Sequence, residues 1–131
     1  MNLRNGPVFV GELTTVGRRT GLPRTVELRM VYLDGRFYAA SSRVQGKHWC
    51  QNMLKSPKVE IKAGDDRFSC RARQIEDEKL RLRVLNLRDS PPLMERVVFE
   101  MAPQNSRSAK RQKLRLKRLL AFLFLFLYSL L

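Results

Sequence analysis

The stretch GRRTGLPRT, residues 17–25, gathers three arginines and two threonines around a Gly-Leu-Pro turn, with no acid among them. The guanidinium forks of Arg18, Arg19 and Arg24 match phosphate and carboxylate geometry. Thr20 and Thr25 add hydroxyls, and Gly17 and Gly21 would let backbone amides approach an anion. The chemistry on offer is recognition of a phosphorylated or carboxylated ligand, not bond cleavage. A solvated basic hairpin has the same composition, and the stretch alone does not choose between the two. No catalytic triad or carboxylate pair accompanies it. The single His48 with Cys50 and Cys70 supplies too few ligands for a conventional metal site, so no metal is expected. With no apolar N-terminal signal, the two cysteines read as reduced thiols of a cytoplasmic protein.

The elements that must position these residues follow from apolar periodicity. PVFVGELTTVG has a β-rich, partly alternating pattern, and RTVELRMVYLDGRFYAAS holds two such runs around Asp34-Gly35, a strong hairpin signal. In the first of these two, Val26, Leu28, Met30 and Tyr32 alternate with Glu27, Arg29, Val31 and Leu33, which places one face in a core and leaves the other partly wet. Residues 47–55 bring Trp49, Met53 and Leu54 near helical spacing until Ser56-Pro57 stops the run. A second hairpin turns at Gly64-Asp65-Asp66. A helix follows over 76–89, opened by acids and ended before Ser90-Pro91-Pro92, and a last short strand covers 94–103. About six antiparallel strands with short connecting helices predict a mainly β (α+β) split barrel, which closes its own edges.

Charge divides the chain in two. Residues 107–131 carry seven of the 26 basic residues and none of the 12 acids, so half of the net charge of +14 sits there. The expected organisation is a barrel domain over 1–106 and a tail over 107–131. The tail passes from AKRQKLRLKR to the uncharged LLAFLFLFLYSLL, which as a helix would reach about 20 Å against a hydrocarbon core of about 30 Å. That length suits an anchor lying on an anionic leaflet, at the inner face of the membrane, better than a span. Packing on the barrel or on a second subunit is the competing reading.

Three segments in order, GRRTGLPRT, then AASSR, then GKHWCQN before Ser56-Pro57, together with RVVFEMAP, resemble the deazaflavin-dependent nitroreductase family. That family is a branch of the FMN-binding split barrels related to pyridoxamine 5'-phosphate oxidase. The resemblance implies the deazaflavin coenzyme F-420 as cofactor. By matching position, Arg18, Arg19, Thr20 and Arg24 would form the anion clamp, with Thr25 and Val26 beside the cofactor. Ala40, Ser41, Ser42 and Arg43 would meet it from the strand end, and Lys47, Trp49 and Asn52 from the helix. The short VQGKHW loop and Cys50, where the family usually has tyrosine, depart from the pattern and keep FMN as the alternative cofactor.

The implied activity is hydride transfer from the reduced cofactor to a small electron-poor acceptor, a quinone or a nitro compound. Tyr32, Tyr38 and Ser42 are the weak candidates for a proton donor. A non-catalytic flavin or deazaflavin carrier would use the same site. A nucleic-acid-binding barrel fits the charge, but Phe37, Tyr38, Trp49 and Phe68 form no evident stacking platform, which disfavours it. The resemblance also raises a homodimer, to which no residue in the sequence commits.

Overall fold

Period-two alternation, interrupted at glycine turns and at prolines, builds a six-stranded barrel with two short helices. The computed structural model describes residues 7–43, 47–90 and 96–104, together with Arg118, Ala121, Leu123 and Leu125. The elements run β1 Val8–Val16, β2 Pro23–Leu33, β3 Arg36–Ser41, α1 His48–Lys55, β4 Lys58–Ala63, β5 Asp66–Gln74, α2 Glu78–Leu87 and β6 Val97–Pro103. Every pairing is antiparallel, and the order β1-β2-β3-β6-β5-β4 closes when β1 pairs with β4. The mainly β fold expected from the sequence is the one observed.

The β2–β3 turn is tight because Asp34 and Gly35 both adopt positive φ, 52° and 80°, the conformation that a two-residue hairpin of the right twist demands. Inward-facing residues of all six strands make one core, which includes Leu13, Met30, Phe37, Ile61, Phe99 and Met101. Trp49, Cys50 and Met53 of α1 insert into the same cluster, so this helix is fastened to the barrel by its apolar face. Each such fully buried large side chain contributes about 1.5–3 kcal/mol. Ser56 ends α1, its amide donating to Asn52 O at 2.8 Å just before Pro57.

A second core lies outside the barrel wall. Val31, Tyr38, Ala40 and Val98 pack there with Val84 and Leu85 of α2. Asp77 caps α2 by accepting from the amides of Lys79 and Leu80 at 3.0 and 3.4 Å, so the helix starts two residues later than its acidic lead-in suggests. The face of β2 expected to be partly wet is wet at Glu27 and Arg29, but Val31 is fully buried in this second core.

Among the described residues no helix is long and apolar enough to cross a membrane. Within the tail, Arg118, Ala121, Leu123 and Leu125 are helical and exposed. The rest of 105–131, and with it the choice between membrane contact and packing, lies outside the described residues.

Candidate functional site

The turn joining β1 to β2 is built from its own polar groups. Gly17 N donates to Leu22 O at 2.8 Å, Gly21 N to Gly17 O at 2.8 Å, and Leu22 N to the Thr20 hydroxyl at 3.2 Å. Gly21 has φ +72°, favourable for a residue with no side chain. A Cβ on Gly17 would stand 2.8 Å from Thr20 Oγ1 and 3.1 Å from Leu22 O, so this position has no room for one. The amides of Gly17 and Gly21 themselves are consumed inside the turn. Beyond its backbone, the turn offers the side chains of Arg18, Arg19, Thr20 and Arg24.

Helix α1 fixes where those side chains stand. Asn52, buried between helix and barrel, accepts at Oδ1 from the Arg18 amide at 3.2 Å and from Arg18 Nη1 at 3.1 Å, and donates from Nδ2 to the Thr15 hydroxyl at 3.1 Å. Lys55 Nζ donates to Arg18 O at 2.7 Å. The Arg18 guanidinium also reaches His48 Nδ1, at 3.2 Å from Nη1 and 3.3 Å from Nη2. Arginine can only donate, so Nδ1 accepts and the imidazole proton sits on Nε2. Arg19 and Arg24 behave differently. Both are exposed, and neither has a side-chain hydrogen bond or ion pair with any other described residue.

Of the residues expected around a cofactor, Arg18, Arg19, Thr20, Arg24, Thr25, Val26, Trp49 and Asn52 line one groove of ≈ 570 Å³. Gly17, read from the sequence as part of the anion loop, lines it as well, as do Thr15, Pro23 and His48, which sequence reasoning did not place at the site. His48 was legible only as an exposed helix residue, although it directly precedes the tryptophan assigned to the cofactor. Among the described residues no acid lines the groove. One wall is apolar, from Val26, Pro23 and the Trp49 ring, which is held edge-on against Phe99 at 6.1 Å between centroids. The size lies within the ordinary range for a small-molecule site. A planar ring on the apolar wall with an anionic tail among the arginines is the ligand whose chemistry fits these donors.

The remaining expected residues stand elsewhere. Ala40 and Ser41 are buried at the end of β3, Ser42 and Arg43 are exposed beyond it, and Lys47 is the exposed residue preceding α1. None of these lines the groove, nor do Tyr32 and Tyr38. Tyr32 stacks at a tilt on Phe37, 5.1 Å between centroids. The Tyr38 hydroxyl, on the outer face of β3, donates to Glu100 Oε2 at 3.3 Å, and burial followed by the Glu100 charge raises its pKa. Burial also pushes the Cys50 thiol up to about 11 and Cys70 to about 12, which keeps both protonated.

The family model described as F420H(2)-dependent quinone reductase matches residues 2–97. The chain belongs to this family. Membership makes it an oxidoreductase by family and the deazaflavin coenzyme F-420 its cofactor, with FMN as the alternative. Solved structures share the barrel. A putative pyridoxamine 5'-phosphate oxidase from Listeria innocua aligns with TM-score 0.64 at 19% identity, over 79% of this chain and 88% of that one. A structure described as an F420 reductase aligns with TM-score 0.54 at 18% identity, over 78% and 90%. A third, described as a domain-swapped dimer, aligns with TM-score 0.58 at 25% identity, over 70% and 78%. No match is found among curated proteins.

Proposed function

We propose that this protein is a deazaflavin-dependent oxidoreductase that reduces a small electron-poor acceptor, a quinone or a nitro compound. The observation that carries this reading is the pairing of Arg19 and Arg24, which have no side-chain partner among the described residues, with an apolar wall in a groove whose described lining holds no acid. When bound, the reduced deazaflavin supplies the hydride. The chain's own residues bind and orient. Arg19 and Arg24 take the anionic tail, helped by the hydroxyls of Thr20 and Thr25, while Val26 and Trp49 exclude water from one face of the ring. Arg18 is locked to Asn52 and His48, so its charge is presented from a fixed position at no further ordering cost. His48, whose Nδ1 is held by Arg18, offers its Nε2–H as a neutral hydrogen-bond donor to a bound acceptor.

The basic-then-apolar tail would bring this chemistry to an anionic membrane surface on the cytoplasmic side, where a lipid-soluble quinone resides. Co-sedimentation with anionic vesicles should be lost on deleting 107–131. Self-association as a homodimer is supported by the likeness to a domain-swapped dimer.

The deciding experiment titrates purified protein with oxidised deazaflavin and with FMN, then follows oxidation of the reduced deazaflavin as quinone or nitroaromatic is added. Acceptor-dependent oxidation accelerated by the protein is the expected result. Binding without acceleration would leave a carrier, and failure to bind either cofactor would overturn the reading.

A further inference from the structure

The outer face of the β4–β5 hairpin is strongly basic, and its charges are unequally matched. On β5, Arg67 pairs with Glu60 at 2.7 Å, and Arg73 pairs with Glu100 at 2.9 and 3.1 Å. Arg71 lies between them on the same face and has no acidic partner among the described residues. Its cross-strand neighbour makes matters worse, because the register sets Lys58 directly opposite Arg71. Like charges facing each other across a ladder destabilise the pair unless something of opposite charge lies between them.

Lys58 and Arg71 together edge a second cavity, of ≈ 550 Å³. Ser69 and Thr14 bring hydroxyls to it and Gln104 a carboxamide. The one acid among the described residues that line it, Glu60, is already paired with Arg67. Thr15 and Pro23 line both this cavity and the cofactor groove, so the two are separated by a single ridge.

We propose that this second cavity is an anion-binding site, taking a carboxylate- or phosphate-bearing group between Lys58 and Arg71 with Ser69 and Gln104 as neutral donors. The inference goes beyond the oxidoreductase reading and does not depend on it. The anion has two conceivable sources of the same chemistry: the acidic end of a ligand that crosses the Thr15–Pro23 ridge from the first groove, or a separate small anion.

The test titrates isotope-labelled full-length protein with inorganic phosphate and with a triglutamate peptide, following backbone amide shifts, and repeats this with Lys58→Gln/Arg71→Gln. Shifts centred on Ser69, Arg71 and Gln104, with affinity falling about tenfold or more in the double variant, are expected. Both substituted residues are exposed, and relieving their repulsion should leave the denaturation midpoint unchanged or raised, which shows that the variant is folded. Shifts confined to Arg19 and Arg24, or equal affinity in both proteins, would sink the proposal. The source follows from a deazaflavin with an oligoglutamate tail compared with one lacking it. If the double variant erases the advantage of the tail, the ligand spans the ridge. If the advantage persists while phosphate and triglutamate binding are lost, the anion is separate. Failure of either deazaflavin to bind, with the Ser69-centred shifts intact, would remove the cofactor reading and leave this site standing.

Discussion

Asn52 holds Arg18 twice through one oxygen: Oδ1 accepts from the Arg18 amide at 3.2 Å and from its guanidinium at 3.1 Å, while Nδ2 ties the same residue to Thr15. One buried carboxamide thereby locks the basic turn to both helix and barrel. Asn52→Ala would leave the buried Thr15 hydroxyl and the part-buried Arg18 amide without these partners. We expect a loss of about 2–3 kcal/mol, read from urea unfolding, together with weaker cofactor binding because the turn loses its anchor. Unchanged stability would show that water replaces the carboxamide.

Arg19 and Arg24 should behave in the opposite way. Neither supports the fold through a described side-chain contact, so Arg19→Ala and Arg24→Ala should leave unfolding within about 0.5 kcal/mol of the parent. Each should nevertheless weaken binding of the phosphorylated deazaflavin by roughly tenfold to a hundredfold, the worth of one charge-assisted hydrogen bond. Fluorescence titration at two salt concentrations checks this, and the deficit should shrink at high salt. Arg18→Ala should fail in both assays, in stability and in binding.

Strand alternation, the Asp34-Gly35 turn and the Ser56-Pro57 stop were legible because each rests on a local rule that the barrel does not override. The second core was not. Nothing local to Val31 says that α2, some fifty residues later in the chain, will cover it, and tertiary contact alone made that face apolar. At the site, the composition of the turn gave the cation set but not its division of labour. Arg18 and Arg19 are neighbours in sequence, and only the position of Asn52 on α1 makes the first a strut and leaves the second open. That the Gly17 and Gly21 amides close the turn on itself was equally invisible in its composition, since a short turn satisfies part of its own backbone.

Gly17 carries a geometric constraint that can be tested alone. An alanine methyl would sit 2.8 Å from the Thr20 hydroxyl and 3.1 Å from a backbone carbonyl, and the carbonyl cannot rotate away. Gly17→Ala should cost about 1–3 kcal/mol and displace Thr20, lowering cofactor affinity as well. Gly21→Ala meets no neighbour, and its penalty comes from the positive φ alone, about 1 kcal/mol. Thermal unfolding of the two variants side by side separates crowding from backbone strain.

The cysteines should be silent in catalysis. With Cys50 near 11 and Cys70 near 12, both raised by burial, neither is a thiolate at working pH. Alkylation of native protein at pH 8 should be slow and leave cofactor oxidation unchanged, whereas both thiols should react once denaturant is added. Rapid native labelling at either position would contradict the burial.

Glu100 gives the protein an acid-sensitive clasp that takes no part in lining the groove. Burial pushes its carboxyl up, but the Arg73 hydrogen bond and the Arg36 and Arg73 charges outweigh that, and the folded value lies below the ordinary one. The unfolded chain therefore takes up this proton first, near about pH 4.3. Stability from Glu100 is complete above that value and lost as pH falls through the lower, folded pKa. Glu100→Gln should cost about 1–3 kcal/mol at pH 7, with the gap to the parent protein narrowing as pH falls below about 4. Urea unfolding of both proteins at pH 7, 5, 4 and 3 checks the sign. A gap that widens toward acid would mean that burial, rather than Arg73 and Arg36, governs the carboxyl.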